Sequence, residues 1–258
     1  MMERINISRQ VGLARALSKL GYCSRSQATK LIRAGRVRLN GATRHDPETP
    51  VRLDRDQIDV DRVPVTAESR IYLMLNKPRG VVTTASDEKG RQTVYSLLGE
   101  KMPWVGPVGR LDKSSEGLLL FTNDSEWAAR LSDPGSHLDK TYHVQVGIVP
   151  DQKITDTLLN GVRAGGELLR AKQARMLRSG KKNSWLEIVL DEGKNRQIRR
   201  MLEHLEIEVL RLIRVAIGPL ALGQLAKGQS RALVMAEKSA LDQAVKISRD
   251  NSRILEKE

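Results

Sequence analysis

The sequence predicts an α+β protein in two parts, a small module of helices and curled sheet followed by a larger domain on a mixed, largely antiparallel sheet flanked by helices. Three observations carry this. Met1 to His45 holds ten Lys or Arg and one acid, Glu3, whereas Asp46 to Asp61 holds six acids, so the amino-terminal part has its own surface chemistry. The polar stretch Pro64 to Arg70 reads as a linker. Beyond it, strand-like and helix-like segments alternate without regular βαβ spacing, which argues against a parallel α/β fold. The boundaries expected are 1–66, 67–247 and a charged tail, 248–258, frayed from about Ser248.

In chain order, Ser8 precedes a helical run with Val11, Ala14, Leu17 and Leu20 on one face, stopped by Gly21. Ser24 and Gln27 have capping-box spacing, a second helix places Ala28, Leu31 and Ile32 on one face, and Gly35 ends it. Val37 and Leu39 then alternate with basic residues into the hairpin signal Asn40-Gly41, with more strand near Gln57 to Val60. A strand begins over Ile71 to Leu75, and Lys77-Pro78-Arg79-Gly80 forces a turn. Lys140 to Val146, Trp185 to Leu190 and Val209 to Ile217 read as strands, and Arg196 to Leu205 as a helix. Gly161 to Gly166 reads as a turn, lacking both the GxGxxG arrangement and a Walker lysine.

A formal charge of +13 and a pI near 10.1 favour a polyanionic partner, nucleic acid first. No apolar run reaches a spanning helix and no signal-like apolar core opens the chain, so no membrane partner and a cytoplasmic location are expected. One cysteine, Cys23, excludes an internal disulfide and is expected to be an ordinary buried or half-buried residue. His45, His137, His143 and His204 are scattered, so no metal site is expected. Aromatic residues are 3% of the chain, too few for recognition mainly by base stacking, and the three tryptophans are expected to serve in packing. A monomer is expected.

Arg15, Lys19, Arg25, Lys30, Arg33, Arg36 and Arg38 flank the two amino-terminal helices and the turn, suited to phosphate contacts. The bland alternative, a merely solvated basic face, would normally intersperse acids. The segment RALSKLGYCSRSQATKLIRAGRVRLNG resembles the RNA-binding module first seen in ribosomal small-subunit protein S-four, the alpha-L motif.

The sharpest segment of the second part runs from Gly106 to Asp124, where a glycine-bounded polar loop interrupts apolar sequence. By spacing alone, Arg110 and Asp112 could form a surface ion pair or share the rim of a site. The string VGRLDKSSEGLLLFTND within it is similar to the signature of pseudouridine synthases of the small-ribosomal-subunit synthase type, which pair an alpha-L domain with a catalytic domain. The likeness continues in NKPRGVVTT from Asn76, KTYHVQV from Lys140 and EGKNRQIRRML from Glu192, in the family's order and over nearly the whole chain.

The resemblance implies that Asp112 is the catalytic carboxylate, that Arg110 lines the target site and that Tyr142 is an active-site tyrosine; a uridine within a structured helix must be flipped out to react, which makes Arg110 a candidate to fill or brace the vacated space. It places Arg199 against the carboxylate and leaves Arg196, where many relatives carry histidine, without a role. The implied reaction breaks N1–C1′ of a uridine, turns the base and joins C5 to C1′, so no redox or group-transfer cofactor is expected. An ionised carboxylate can attack the base at C6 or the sugar at C1′, or help form a transient glycal. A tyrosine hydroxyl can take part in removing the C5 proton. The expected partner is ribosomal RNA or a ribosomal assembly intermediate, with EGKNRQIRRM leaning toward the large subunit. Two rivals stand beside this reading: a non-catalytic RNA-binding assembly factor, and an N-glycosidic hydrolase that would release free uracil.

Overall fold

The computed structural model describes residues 10–85, 87–99 and 102–255, with side chains to residue 246. Ser8, the expected cap of the first helix, lies outside them. The described residues cluster into two compact units: 10–72 with 102–106 and 121–127, and the remainder.

In the first unit, α1 (Leu13–Lys19) and α2 (Arg25–Arg33) pack on a four-stranded sheet ordered β3-β2-β5-β6, from Ala42–Thr43, Val37–Leu39, Ile58–Val60 and Val63–Pro64. The first helix starts later than its apolar period suggests. Val11 and Gly12 form β1, paired with β4 (Pro50–Val51), and the amides of Leu13 and Ala14 donate to the carbonyls of Thr49 and Pro47 at 2.9 Å. Those neighbours satisfy the helix's first N–H groups in place of a side-chain cap. The second helix follows its sequence: Ser24 and Gln27 complete a reciprocal capping box. Asn40 and Gly41, both at positive φ, turn β2 into β3 as an Asn-Gly hairpin should. Leu13, Leu17, Ala28, Ile32, Val37 and Val51 are fully buried between these layers. Cys23 joins that core, and burial pushes its thiol up to about 11, so it stays protonated and inert at neutral pH.

The polar stretch after Pro64 is tied down instead of hanging as a free linker. The fully buried side chain of Asn123 accepts from the Ile71 amide at 2.9 Å and donates to the Ser69 carbonyl at 2.8 Å. Asp124 accepts the first-turn amides of Glu126 and Trp127 in α3 (Ser125–Ser132) and the Tyr72 hydroxyl. The end of the glycine-bounded segment is thus a clamp within the first unit.

The second unit is built on a sheet of order β13-β14-β10-β15-β9-β7-β17. Its strands are β7 (Tyr72–Lys77), β9 (Glu116–Thr122), β10 (Lys140–Val146), β13 (Gln173–Ser179), β14 (Ser184–Leu190), β15 (Val209–Ile217) and β17 (Ser230–Ala232), with β8 (Gly106–Val108) and β16 (Leu220–Ala221) at its margins. β10 lies antiparallel between β14 and β15, whereas β15 meets β9 in parallel. Val144, Val146, Leu186 and Ile188 turn one face toward α4 (Gln152–Asn160) and α5 (Gln197–His204), burying Leu158, Ile198, Met201 and Leu202. Gly161 to Gly166, expected as a single turn, instead ends α4 and opens the hairpin β11 (Val162–Ala164) and β12 (Glu167–Leu169), turning at Gly165-Gly166. A six-residue apolar–polar window is too short for periodicity to separate turn from hairpin. The tail expected to fray from Ser248 continues α6 (Met235–Leu255), since Ser248 to Leu255 contains no Gly or Pro to stop a helix.

At the parallel junction β9 and β15 approach so closely that a Cβ built on Gly117 would lie 2.2 Å from the Arg214 carbonyl oxygen, and Gly117 has φ +102°. Gly117→Ala therefore combines backbone strain with a main-chain clash. We expect a loss of about 2–5 kcal/mol in urea-unfolding stability; an unchanged midpoint would show that the junction yields freely.

Candidate active site

The loop between β8 and β9 carries Asp112, and its backbone is held by a closed set of donors. Thr83 Oγ1 donates to the Leu111 carbonyl at 2.8 Å, the Gly80 amide to Lys113 at 2.7 Å and Arg199 Nη2 to Ser114 at 3.1 Å. Lys77 supplies the rest: Nζ donates to Asp112 O at 3.1 Å, Ser115 O at 2.8 Å and Pro78 O at 3.1 Å. Every carbonyl from Leu111 to Ser115 is therefore occupied. Lys77 is fully buried at the end of a strand reading Tyr-Leu-Met-Leu-Asn-Lys. Burial pushes its pKa from the ordinary 10.5 to about 8, against the opposing pull of Asp112 and Glu116. With three acceptors for three protons, the ammonium has no donor left over.

The fixed backbone presents the Asp112 side chain, 37% exposed, to an open cleft of about 440 Å³ lined by Arg79, Gly80, Asp112, Lys113, Ser114 and Arg196. Arg196 caps α5 in the left-handed region, at φ +48°, and its Nη1 lies 3.8 Å from Asp112 Oδ2. Arg199, one turn on, reaches the loop through Ser114 O, while its buried Nε has no partner. Burial, with Arg196 and Arg79 nearby, pushes the Arg199 pKa down, and Asp112 acts against that; a guanidinium stays charged regardless. Arg196, for which no role was expected, thus forms an ion pair with the carboxylate, while Arg199 holds the loop through Ser114 O with Asp112 close enough to act on its charge.

The other expected residues fall in three places. Arg110 is exposed beside Gly109 and lies outside the cleft lining. Tyr142 is half-buried on the face of β10 shared with Val144 and Val146, opposite Arg214 on β15 and Ile188 on β14. The basic residues of the first unit divide: Arg36 is bound to Asp61 through two nitrogens and Lys19 to Glu126 at 2.6 Å. Arg15, Arg25, Lys30, Arg33 and Arg38 have no carboxylate partner among the described residues. Sequence reasoning missed Lys77, Arg79 and Thr83 as parts of the site. The usable signal was a lysine closing an apolar strand, since a buried lysine demands acceptors. Among the described residues no cluster of His, Cys, Asp and Glu could hold a metal ion, and no helix is long and apolar enough to cross a membrane.

Comparisons with known proteins point to one family. The family profile described as RNA pseudouridylate synthase matches residues 71–204, and that of the S4 domain matches residues 11–58. A ribosomal large subunit pseudouridine synthase B of Bacillus subtilis is 36% identical over 86% of this chain and 91% of its own length. An RNA pseudouridine synthase of Rickettsia prowazekii is 38% identical over 84% of this chain and 91% of its own. A crystal structure of a pseudouridylate synthase, 29% identical, superposes with a TM-score of 0.64 over 90% of this chain and 99% of that one. With the profile spanning the half of the chain that includes the Asp112 loop, β10 and α5, this protein belongs to the RNA pseudouridylate synthase family.

Proposed function

We propose that this synthase isomerises a uridine of large-subunit ribosomal RNA, free or in an assembling particle, with Asp112 as the nucleophile. The observation that carries the assignment is a half-exposed carboxylate on a backbone that cannot shift, facing a cleft otherwise lined by Arg79, Lys113 and Arg196. A volume near 440 Å³ suits one extruded nucleotide, within the roughly 300–1,000 Å³ of ligand sites. The cations balance the carboxylate and offer donors to flanking phosphates.

Attack at C6, attack at C1′ and the glycal route all start from the ionised carboxylate, and all need it held near the reacting atom, where proximity supplies much of the rate. The five occupied carbonyls and the Arg196 contact do this holding. Tyr142 is the candidate for proton transfer at C5 and Arg110 for bracing the emptied stack. Large-subunit RNA is favoured by the Bacillus subtilis relative. Arg15, Arg25, Lys30, Arg33 and Arg38 supply sequence-independent phosphate contacts; Lys19 and Arg36 shape the surface through their ion pairs.

Asp112→Asn keeps the side chain's shape and removes the anion, so pseudouridine formation should be lost while RNA affinity stays within a few fold. Mapping pseudouridines in both ribosomal RNAs with and without the protein reads this and names the target. A retained product with the variant rejects Asp112 as nucleophile; free uracil in place of pseudouridine identifies a hydrolase.

Lys77 gives two pH dependences of opposite sign. The folded chain releases this proton near pH 8 and the unfolded chain near 10.5, so the lysine's contribution to stability is a constant cost below 8 and is relieved as pH rises between them. Activity should move the other way, because a neutral amine has two protons for three carbonyls and loosens the loop. A single-turnover pH–rate profile should fall above about pH 8. Lys77→Met should lower the pH 7 rate by roughly tenfold or more, leave RNA affinity unchanged and abolish that alkaline limb; an identical limb in the variant assigns it to another group.

Substituting glutamine at Arg25, Lys30 and Arg33 should reduce the slope of log affinity against log salt by about 0.7–0.9 per lost contact. An unchanged slope would place the RNA elsewhere.

A further inference from the structure

We propose that the sheet face opposite α4 and α5 is a second contact surface for the phosphodiester backbone of the substrate RNA, organised around Trp185; the inference builds on the proposed RNA-modifying function. One face of β10 and β14 is sealed by the helices through Val144, Val146, Leu186 and Ile188. The alternate residues His143, Gln145, Trp185 and Glu187 remain half-exposed, and Arg175 and Arg178 on β13 are exposed.

Register aligns three of these residues with Arg211 of β15 across neighbouring strands. Arg178 pairs with Trp185, Trp185 with Gln145 and Gln145 with Arg211. At a strand spacing of about 4.8 Å, the row is roughly 14 Å long. A β-bulge between Met176 and Arg178 re-aims the arginine into this row. Both guanidiniums lie over the indole, their central carbons 5.0 and 5.6 Å from its centroid. A guanidinium flat on an aromatic ring keeps its N–H edges free, and the stacking removes much of the rotamer freedom that binding would otherwise have to quench. With its ring so occupied, Trp185 organises cations and does not itself receive a base.

Charge decides the partner. Glu116, almost fully buried, binds Arg211 through both oxygens at 3.1 Å and Lys227 at 2.6 Å; Glu187 binds Arg175 and contacts His143. Arg178 and, in the β13–β14 turn, Lys181 and Lys182 are exposed with no carboxylate partner among the described residues. The two acids therefore orient Arg175, Arg211 and Lys227 while leaving a net positive ribbon. A polar, cationic row of evenly spaced side chains fits a phosphate backbone, read by charge and spacing and not by base identity.

The test compares the intact enzyme with the triple variant Arg178→Gln, Lys181→Gln, Lys182→Gln and a charge-matched control, Arg130→Gln, Lys153→Gln, Lys246→Gln. Affinity for a protein-free ribosomal RNA fragment is measured from low to high salt, with single-turnover pseudouridine formation on the same RNA. The triple variant should bind about tenfold more weakly and lose about 2–3 units of salt slope, with the rate at saturating RNA within twofold of wild type. The control should shift affinity by less than twofold. Equal weakening by the control would reduce the effect to bulk charge and overturn the proposal, as would wild-type affinity and slope in the triple variant. Weakened binding to ribosomal particles with unchanged binding to bare RNA would assign the face to a protein and also overturn it. Wild type that binds RNA without forming pseudouridine would instead reject the function proposed for the cleft.

Discussion

An ammonium taken out of water must find an acceptor for every proton, and that requirement at Lys77 organises the catalytic domain. Its three partners are main-chain carbonyls, two of them on the loop that bears Asp112. Because the acceptors belong to the backbone, their positions are fixed by the chain's path and not by side-chain rotamers. Gly80 and Thr83, in the loop after β7, and Arg199, on α5, complete the same task. The outcome is an Asp112 carboxylate presented to the cleft with Arg196 3.8 Å away, since the structure immobilises the peptide groups around it. Buried polar networks of this sort confer a unique conformation when fully satisfied and are costly when any member is missing.

The arginines of α5 illustrate how one helix serves both backbone and side chain. Arg196 adopts a left-handed conformation just before the first turn, which aims it at the carboxylate. Arg199 emerges one turn later and secures the loop's Ser114 carbonyl. Ile198, Met201 and Leu202 on the same helix bury themselves against the sheet. The apolar face therefore sets where both guanidiniums can reach, and a repacked core would be felt at the cleft.

Much of this was legible in the sequence, where local chemistry dictates local structure. The capping box at Ser24, the Asn40-Gly41 turn and the strands beginning at Lys140 and Val209 follow from side-chain period and backbone preference alone. Where tertiary partners override local signals, the reading slipped. Val11 fits a helical period, yet pairing with Val51 draws it into a strand. Asn123 sits in a segment that looks catalytic throughout, yet it is consumed by Ser69 and Ile71. Asp112 stood out through the likeness of VGRLDKSSEGLLLFTND to the synthase signature, since spacing alone left a surface ion pair open. Lys77 did not, because nothing in a strand's alternation reveals which distant carbonyls will surround its last residue. The approach of Arg196 to Asp112 turns on a positive φ at a non-glycine residue, for which arginine carries no sequence signal.

The parallel junction of β9 and β15 also has a bearing on how the protein comes into being. Glu116 meets Ile213, and Arg199 meets Ser114 from 85 positions away along the chain, so these contacts close long loops. Non-local pairing of this kind forms late, after the local hairpins and helices have already condensed. During synthesis from the amino terminus, the S4 module can gather its own core long before β15 is made. The loop that carries Asp112 meets Lys77, Gly80 and Thr83 from earlier in the chain, but its Arg199 contact and the β15 pairing at its end come only with residues from 199 onward. The frame around that loop is then completed only at a late stage of synthesis, so that an incomplete nascent chain can carry a folded S4 module while the Asp112 loop still lacks part of its support.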